Sequence, residues 1–176
     1  LLTAEQWQDV AVEQPVTLGR YVLLYDLLPS AQIVQLARRI AAVNNAQVVR
    51  LCRSAGMKPD PDILSLATAG PAEFIRAFAD AAFVVTNSFH GTVFSLLFNK
   101  PFYTVTPTRM KNAGRMQSLL ELVGLSSRLC GESEIEKISL ECPIDYSPIN
   151  DVLAAEREKS VAFLTDALTF TDINKG

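Results

Sequence analysis

His90 is the only histidine of the 176-residue chain. It stands in Thr86-Asn87-Ser88-Phe89-His90-Gly91-Thr92, a polar knuckle between two apolar runs, Ala81-Ala82-Phe83-Val84-Val85 and Val93-Phe94-Ser95-Leu96-Leu97-Phe98. An imidazole can hydrogen-bond a phosphate or carboxylate, or give up a proton near neutral pH. Ser88 is of a type that caps helix N-termini, and Gly91 lets another group come close to the backbone. A helix start also attracts anions, through its free N–H groups and the positive end of its dipole. The residues alone leave two readings of His90 open: a structural hydrogen-bonding group at a helix start, or a ligand-binding or acidic side chain.

A second group of cations follows the next apolar run. Arg109, Lys111 and Arg115 lie just beyond Pro101-Phe102-Tyr103-Thr104-Val105. All three can be solvated surface charges. Arg115 differs in that it enters a helix start, where a cation opposes the dipole, and a nearby anion would explain it. Arginine also grips planar carboxylates and phosphates with two hydrogen bonds. Other signals are weak. Asp60-Pro61-Asp62 has the form of a metal-binding Asp-x-Asp but sits in a proline-rich loop away from the knuckle, so no metal site is expected. No glycine-rich dinucleotide or phosphate loop occurs, and no nucleophile elbow. Cys52 follows an apolar strand and reads as a buried thiol.

Several elements must position these residues. Arg20 to Tyr25 predicts a buried strand. Ser30 caps a helix to Val43, with Ile33, Leu36, Ala37 and Ile40 on one face, and Ala46 to Leu51 predicts the next strand. Gly70-Pro71 opens a helix with Pro71 at its first position, carrying Phe74, Ile75 and Phe78. Ala82 to Thr86 is the central strand, Phe89 to Phe98 a helix, and Pro101 to Val105 a strand. Arg115 to Val123 is amphipathic and stops at Gly124. Ser147-Pro148 opens a last helix to about Leu168, and residues 1–19 and 126–146 show no clear period. Strands alternating with helices predict an α/β fold with a Rossmann-like, doubly wound parallel sheet. The knuckle then falls at the carboxyl end of a strand, where such sheets bind ligands.

Composition narrows the function classes. With 49% apolar and 20% charged residues, the chain suits one globular domain. A net charge of −3 gives no reason to expect nucleic-acid binding. No apolar run approaches the ~18 residues of a transmembrane helix. Leu1-Leu2-Thr3-Ala4-Glu5 does not read as a signal peptide. Cys52, Cys130 and Cys142 are odd in number and scattered, which argues against a disulfide scaffold or a zinc site and for a reducing compartment. The chain has no initiator methionine and reads as a piece of a longer protein.

The knuckle with its flanks resembles the polysaccharide pyruvyl transferases. The resemblance is carried by Gly70-Pro71-Ala72-Glu73-Phe74-Ile75, by the run from Ala81 through Ser95, by Lys100-Pro101-Phe102, and by Asn112-Ala113-Gly114-Arg115 continuing to Leu125. The tail, Ile144-Asp145-Tyr146-Ser147-Pro148 and Glu156-Arg157-Glu158-Lys159-Ser160, is similar too, as is the opening Leu1 to Trp7. Ser-Phe-His-Gly is the most specific part. The resemblance implies the C-terminal half of a GT-B-like two-domain enzyme, with residues 1–19 as interdomain linker and 20–170 as the Rossmann-like domain. It implies transfer of pyruvate from phosphoenolpyruvate to a pair of sugar hydroxyls, forming a ketal in surface or exopolysaccharide synthesis, with no cofactor. The acceptor would be a glycan or lipid-linked oligosaccharide. The implied location is cytoplasmic, including the inner face of the membrane. The N-terminal half of the same protein would complete the cleft, so this stretch alone would be inactive. Carried over residue by residue, His90 is the catalytic residue, and Ser88, Asn87, Gly91, Arg109 and Arg115 bind substrate. The position of Asn87 often holds Asp in similar sequences. Two rivals are a GT-B glycosyltransferase half that binds a nucleotide-sugar, and a non-catalytic interaction domain.

Overall fold

The computed structural model describes residues 2–51, 60–108, 113–140 and 143–172. The sequence expectations for Arg109, Lys111, Cys52 and Cys142 lie outside the described residues. Six strands, Tyr21–Tyr25 (β1), Gln47–Leu51 (β2), Ile63–Leu66 (β3), Phe83–Thr86 (β4), Phe102–Thr106 (β5) and Leu129–Gly131 (β6), form one sheet in the order β3-β2-β1-β4-β5-β6. Every neighbouring pair is parallel. The chain steps outward from β1 in one direction, returns, and steps outward in the other. This is a doubly wound parallel α/β sheet, as the alternation of strands and helices predicts, and it switches direction between β1 and β4.

Helices cover both faces. On one face Ala31–Val43 (α2) lays Ile33, Leu36 and Ile40 against Val22, Val48 and Val85, and Ile135 from the 3₁₀ turn Glu132–Lys137 fills the far end. The other face carries Ala4–Gln8 (α1), Pro71–Asp80 (α3), Phe89–Leu97 (α4), Gly114–Leu122 (α5) and Ser147–Asp172 (α6). Phe78, Leu96, Phe102, Leu120 and Ile149 meet in its core. Each such side chain contributes roughly 1.5–3 kcal/mol when fully buried. Because β1 and β4 are covered on both faces, their sequences are unbroken apolar runs rather than alternating ones.

Local chemistry sets the ends of these elements. Ser30 Oγ accepts from Ile33 N (3.4 Å) to open α2. Asn45 takes a left-handed φ of 48° just after it, a conformation asparagine tolerates better than most residues. Glu73 accepts from Gly70 N (3.0 Å) behind the first-turn Pro71 of α3.

Four elements depart from the sequence expectation. Residues 1–19 contain α1, too short to show a period. Its end is fixed by a reciprocal cap, with Gln6 N donating to Thr3 Oγ1 (3.3 Å) and Thr3 N to Gln6 Oε1 (2.9 Å), and Trp7 anchors it edge-on to Phe94 at 5.2 Å. β3 and β6 are four- and three-residue strands at the sheet's two edges. They make half the partners of a central strand and need little of its apolar content. Finally, α6 continues to Asp172. No helix among the described residues is long and apolar enough to cross a membrane.

Candidate functional site

The knuckle leaves β4 at Thr86 and turns into α4 through Asn87 and Ser88. Thr86 Oγ1 donates to the carbonyl of Tyr25 at the end of β1 (2.6 Å) and accepts from Ser88 N (3.0 Å). A Cβ on Gly91 would lie 2.1 Å from that same oxygen. The glycine does permit a close approach, as its type suggests, and the group that approaches is Thr86 of the protein itself. One turn on, Thr92 Oγ1 lies 2.8 Å from Thr104 Oγ1, holding α4 to β5.

Asn87 spans the switch point. Its Oδ1 accepts from Leu27 N (2.7 Å) and Leu28 N (3.4 Å), and its Nδ2 donates to Leu28 O (2.7 Å). The amide is almost fully buried and pins the β1–α2 turn to the knuckle. Asn87 thus positions the site, with both ends of its side chain engaged by the protein. Behind it Asp26 and Arg50 form a buried two-point ion pair, with Arg50 Nε donating to Asp26 Oδ1 at 2.8 Å and Nη2 to Oδ2. Burial pushes the Asp26 carboxyl upward and the two contacts from Arg50 pull it back.

Ser88 behaves differently. It occupies the N-cap position of α4 with extended backbone, yet its hydroxyl makes no capping bond. The Oγ is buried and meets no hydrogen-bond partner among the described residues. A buried hydroxyl without a partner costs about 1–3 kcal/mol. The nine-residue α4 therefore begins with its first turn uncapped by any side chain of its own N-cap.

His90 sits in that first turn and is exposed. Its ring lies 6.0 Å from Phe89, edge to face, and the guanidinium of Arg115 covers the Phe89 ring at 4.9 Å. The structure thus brings His90 and Arg115 to the same end of the sheet, joined through one phenyl ring. Arg115 lies in the first turn of α5, whose N-cap, Ala113, makes no side-chain cap. The phenyl ring accounts for part of the oddity of a cation at a helix start.

A groove of about 400 Å³ runs along the outer face of α4 from His90 through Val93 to Leu97. Trp7 and Leu119 form two of its walls, and α6 supplies Leu153, Glu156, Arg157 and Ser160. A larger hollow of about 650 Å³ lies over α2, but its arginines are taken: Arg38 by Asp60 (2.7 Å), Arg39 by Glu136 (3.2 Å) and Arg50 by Asp26. The His90 groove is the better candidate for a ligand. Sequence patterns did not single out Phe89 and Arg157. Phe89 could have been found inside Ser-Phe-His-Gly; Arg157 needed the register of α6 against α4.

Comparison with known proteins bears on the matter at two levels. The family model described as polysaccharide pyruvyl transferase matches residues 7–109, more than half the chain and all of the knuckle. No curated protein matches. Among solved structures, UDP-GlcNAc 2-epimerase of Methanocaldococcus jannaschii, in complex with UDP-GlcNAc and UDP, is similar with TM-score 0.49 and 10% identity over 88% of this chain and 48% of that one. A glycotransferase of kitacinnamycin is similar with TM-score 0.46 and 10% identity, over 81% and 42%. The chain spans about half the length of these structures, and at this distance they say nothing of activity.

Proposed function

The chain belongs to the polysaccharide pyruvyl transferase family, and from that premise we propose that it is the donor-side half of an enzyme that moves pyruvate from phosphoenolpyruvate onto two hydroxyls of a sugar. One hydroxyl oxygen adds to the enol carbon and gives up its proton, while the methylene carbon takes up a proton. Phosphate then leaves, and the second hydroxyl closes the ketal with loss of its own proton. The products are a methyl-bearing ketal carboxylate and inorganic phosphate.

The roles follow from chemistry at the knuckle. The donor is a compact anion, and the uncapped first turn of α4 offers N–H groups and the positive end of a dipole. Ser88 Oγ adds a hydroxyl with no other partner among the described residues. Arg115 supplies a cation held over Phe89. His90 is the acid that protonates the methylene carbon. Asn87 and Gly91 hold the knuckle in shape, and Arg109, which follows β5 in the sequence, is a further cation for the donor. The acceptor glycan enters from the side of an N-terminal half, and both halves are needed for turnover.

The observation that carries this reading is the exposed His90 in an uncapped helix start, within the segment the family match covers. The test is sugar-dependent release of phosphate from phosphoenolpyruvate by the full-length protein, with melting shifts measured in parallel. Turnover and a shift with phosphoenolpyruvate support it. A shift with UDP-sugars and none with phosphoenolpyruvate would move the protein to the nucleotide-sugar reading, and silence with both would make it a binding domain.

A further inference from the structure

Enolpyruvyl phosphate carries a carboxylate and a phosphate of about −1.5 to −2 within a few ångströms. One arginine cannot balance that charge. Arg115 reaches the knuckle from α5, and the groove beside His90 holds a second arginine, on α6.

α6 starts beside the far end of α4, where Tyr146 Oη donates to the carbonyl of Lys100. It then runs back along α4. Lining residues run from Leu153 to Ser160 on α6 and from His90 to Leu97 on α4, seven helical steps in each case. At 1.5 Å per residue both spans measure about 10 Å. Arg157 and Ser160 of α6 line the same groove as His90 of α4.

Arg157 is half-buried, with its stem against the groove wall. Its Nε is buried and meets no acceptor among the described residues. The neighbouring charges do not claim it. Glu156 is bound by Lys159 at 2.6 Å. Glu5 is fully exposed, and its carboxyl is held below the usual glutamate range mainly by its own backbone hydrogen bond and by Thr3, with Arg157 the smallest influence. A guanidinium partly withdrawn from water, with no ion pair among the described residues, beside a groove whose walls are mostly apolar is a poor stabilising element and a good anion receptor.

We propose that Arg157 is the second cation of the donor site, binding the carboxylate or phosphate of enolpyruvyl phosphate from the groove side of His90 while Arg115 approaches over Phe89. This rests on the pyruvyl-transfer reading above. Arg157 lies outside the segment matched by the family model, so the assignment comes from the packing of α6 on α4.

The experiment is calorimetric titration of phosphoenolpyruvate into the full-length protein, as wild type, Arg157→Gln, Arg157→Met and Lys159→Gln. Arg157→Gln should weaken binding about 10- to 100-fold, the scale of a charge-assisted hydrogen bond, with the melting temperature unchanged. Arg157→Met keeps the packing of the stem and should weaken binding as much. Lys159→Gln, two residues along on the solvent side, should bind as wild type. Titrating inorganic phosphate and pyruvate separately then shows which anion group is lost. If either Arg157 variant folds and keeps wild-type affinity, the subsite is wrong and the transfer reading stands. If both variants fail to fold, Arg157 is a packing element and the proposal falls. If the wild type takes up no phosphoenolpyruvate, both readings fall together.

Discussion

The carboxyl edge of this sheet has two neighbouring polar regions built on opposite plans. At the switch point, Asn87, Asp26 and Arg50 have their polar atoms matched: three hydrogen bonds from the amide and a two-point ion pair behind it. One residue further along, Ser88 Oγ is buried and meets no partner among the described residues, and neither does the Nε of Arg157 in the groove that begins at His90. Both regions are polar, buried or half-buried, and at the end of the same strands. The first is complete without any ligand, whereas the second keeps buried polar atoms that meet no partner among the described residues. Residue type separates them poorly, since Asn87 and Ser88 are adjacent and look equally suited to binding. Hydrogen-bond satisfaction separates them at once.

The widest divide between the regions should appear at His90. His90→Gln in the full-length protein keeps a hydrogen-bonding group and removes the titratable proton. If His90 is the acid, kcat should fall about 100- to 10,000-fold while donor KM changes little and melting not at all. A raised KM with kcat retained would reduce His90 to an orienting group. In the matched region, Asp26→Ala strands the buried guanidinium of Arg50 without its carboxylate. Urea unfolding should show a loss of about 3–5 kcal/mol, whereas Asp26→Leu with Arg50→Met should recover most of it. An Asp26→Ala protein as stable as wild type would show that the pair is not what braces this edge.

Smaller effects sharpen the contrast. Asn87→Ala removes three hydrogen bonds and leaves two amides of the β1–α2 turn unmatched, which should cost about 1–3 kcal/mol by thermal unfolding. Ser88→Ala removes a hydroxyl that contributes no bond, so stability should hold or rise slightly. Donor affinity should nonetheless fall. If Ser88→Ala destabilises as much as Asn87→Ala, the two residues belong to one structural network and the contrast drawn between them is wrong.

Much of this was legible in the sequence. The central strands β1, β4 and β5 appear as apolar runs because both faces of the sheet are covered, and Ser30, Pro71 and Gly124 mark helix ends by their own chemistry. The short edge strands β3 and β6 were not legible, since a strand with one neighbour and three or four residues leaves little pattern. Nor was α1, which depends on the contact between Trp7 and Phe94 rather than on a period. The placement of His90 at a helix start was legible from Ser88 and Gly91. The tasks of Asn87, Gly91 and Phe89 were not, because each depends on what lies across the fold: the Leu27–Leu28 backbone, the Thr86 hydroxyl and the Arg115 guanidinium. Arg157 was the least accessible of all, lying more than sixty residues from the knuckle it faces.

The amide of Asn87 has a consequence for the order of assembly. It joins backbone groups some sixty residues away along the chain, and no local segment contains both ends of that junction. The β1–α2 turn cannot take its final shape before β4 has docked on β1, so the knuckle matures only once the middle of the sheet is complete. A chain still emerging, or one whose sheet has opened between β1 and β4, holds His90 on a helix start with nothing to aim it. The shape of the knuckle is therefore tied to completion of the central sheet.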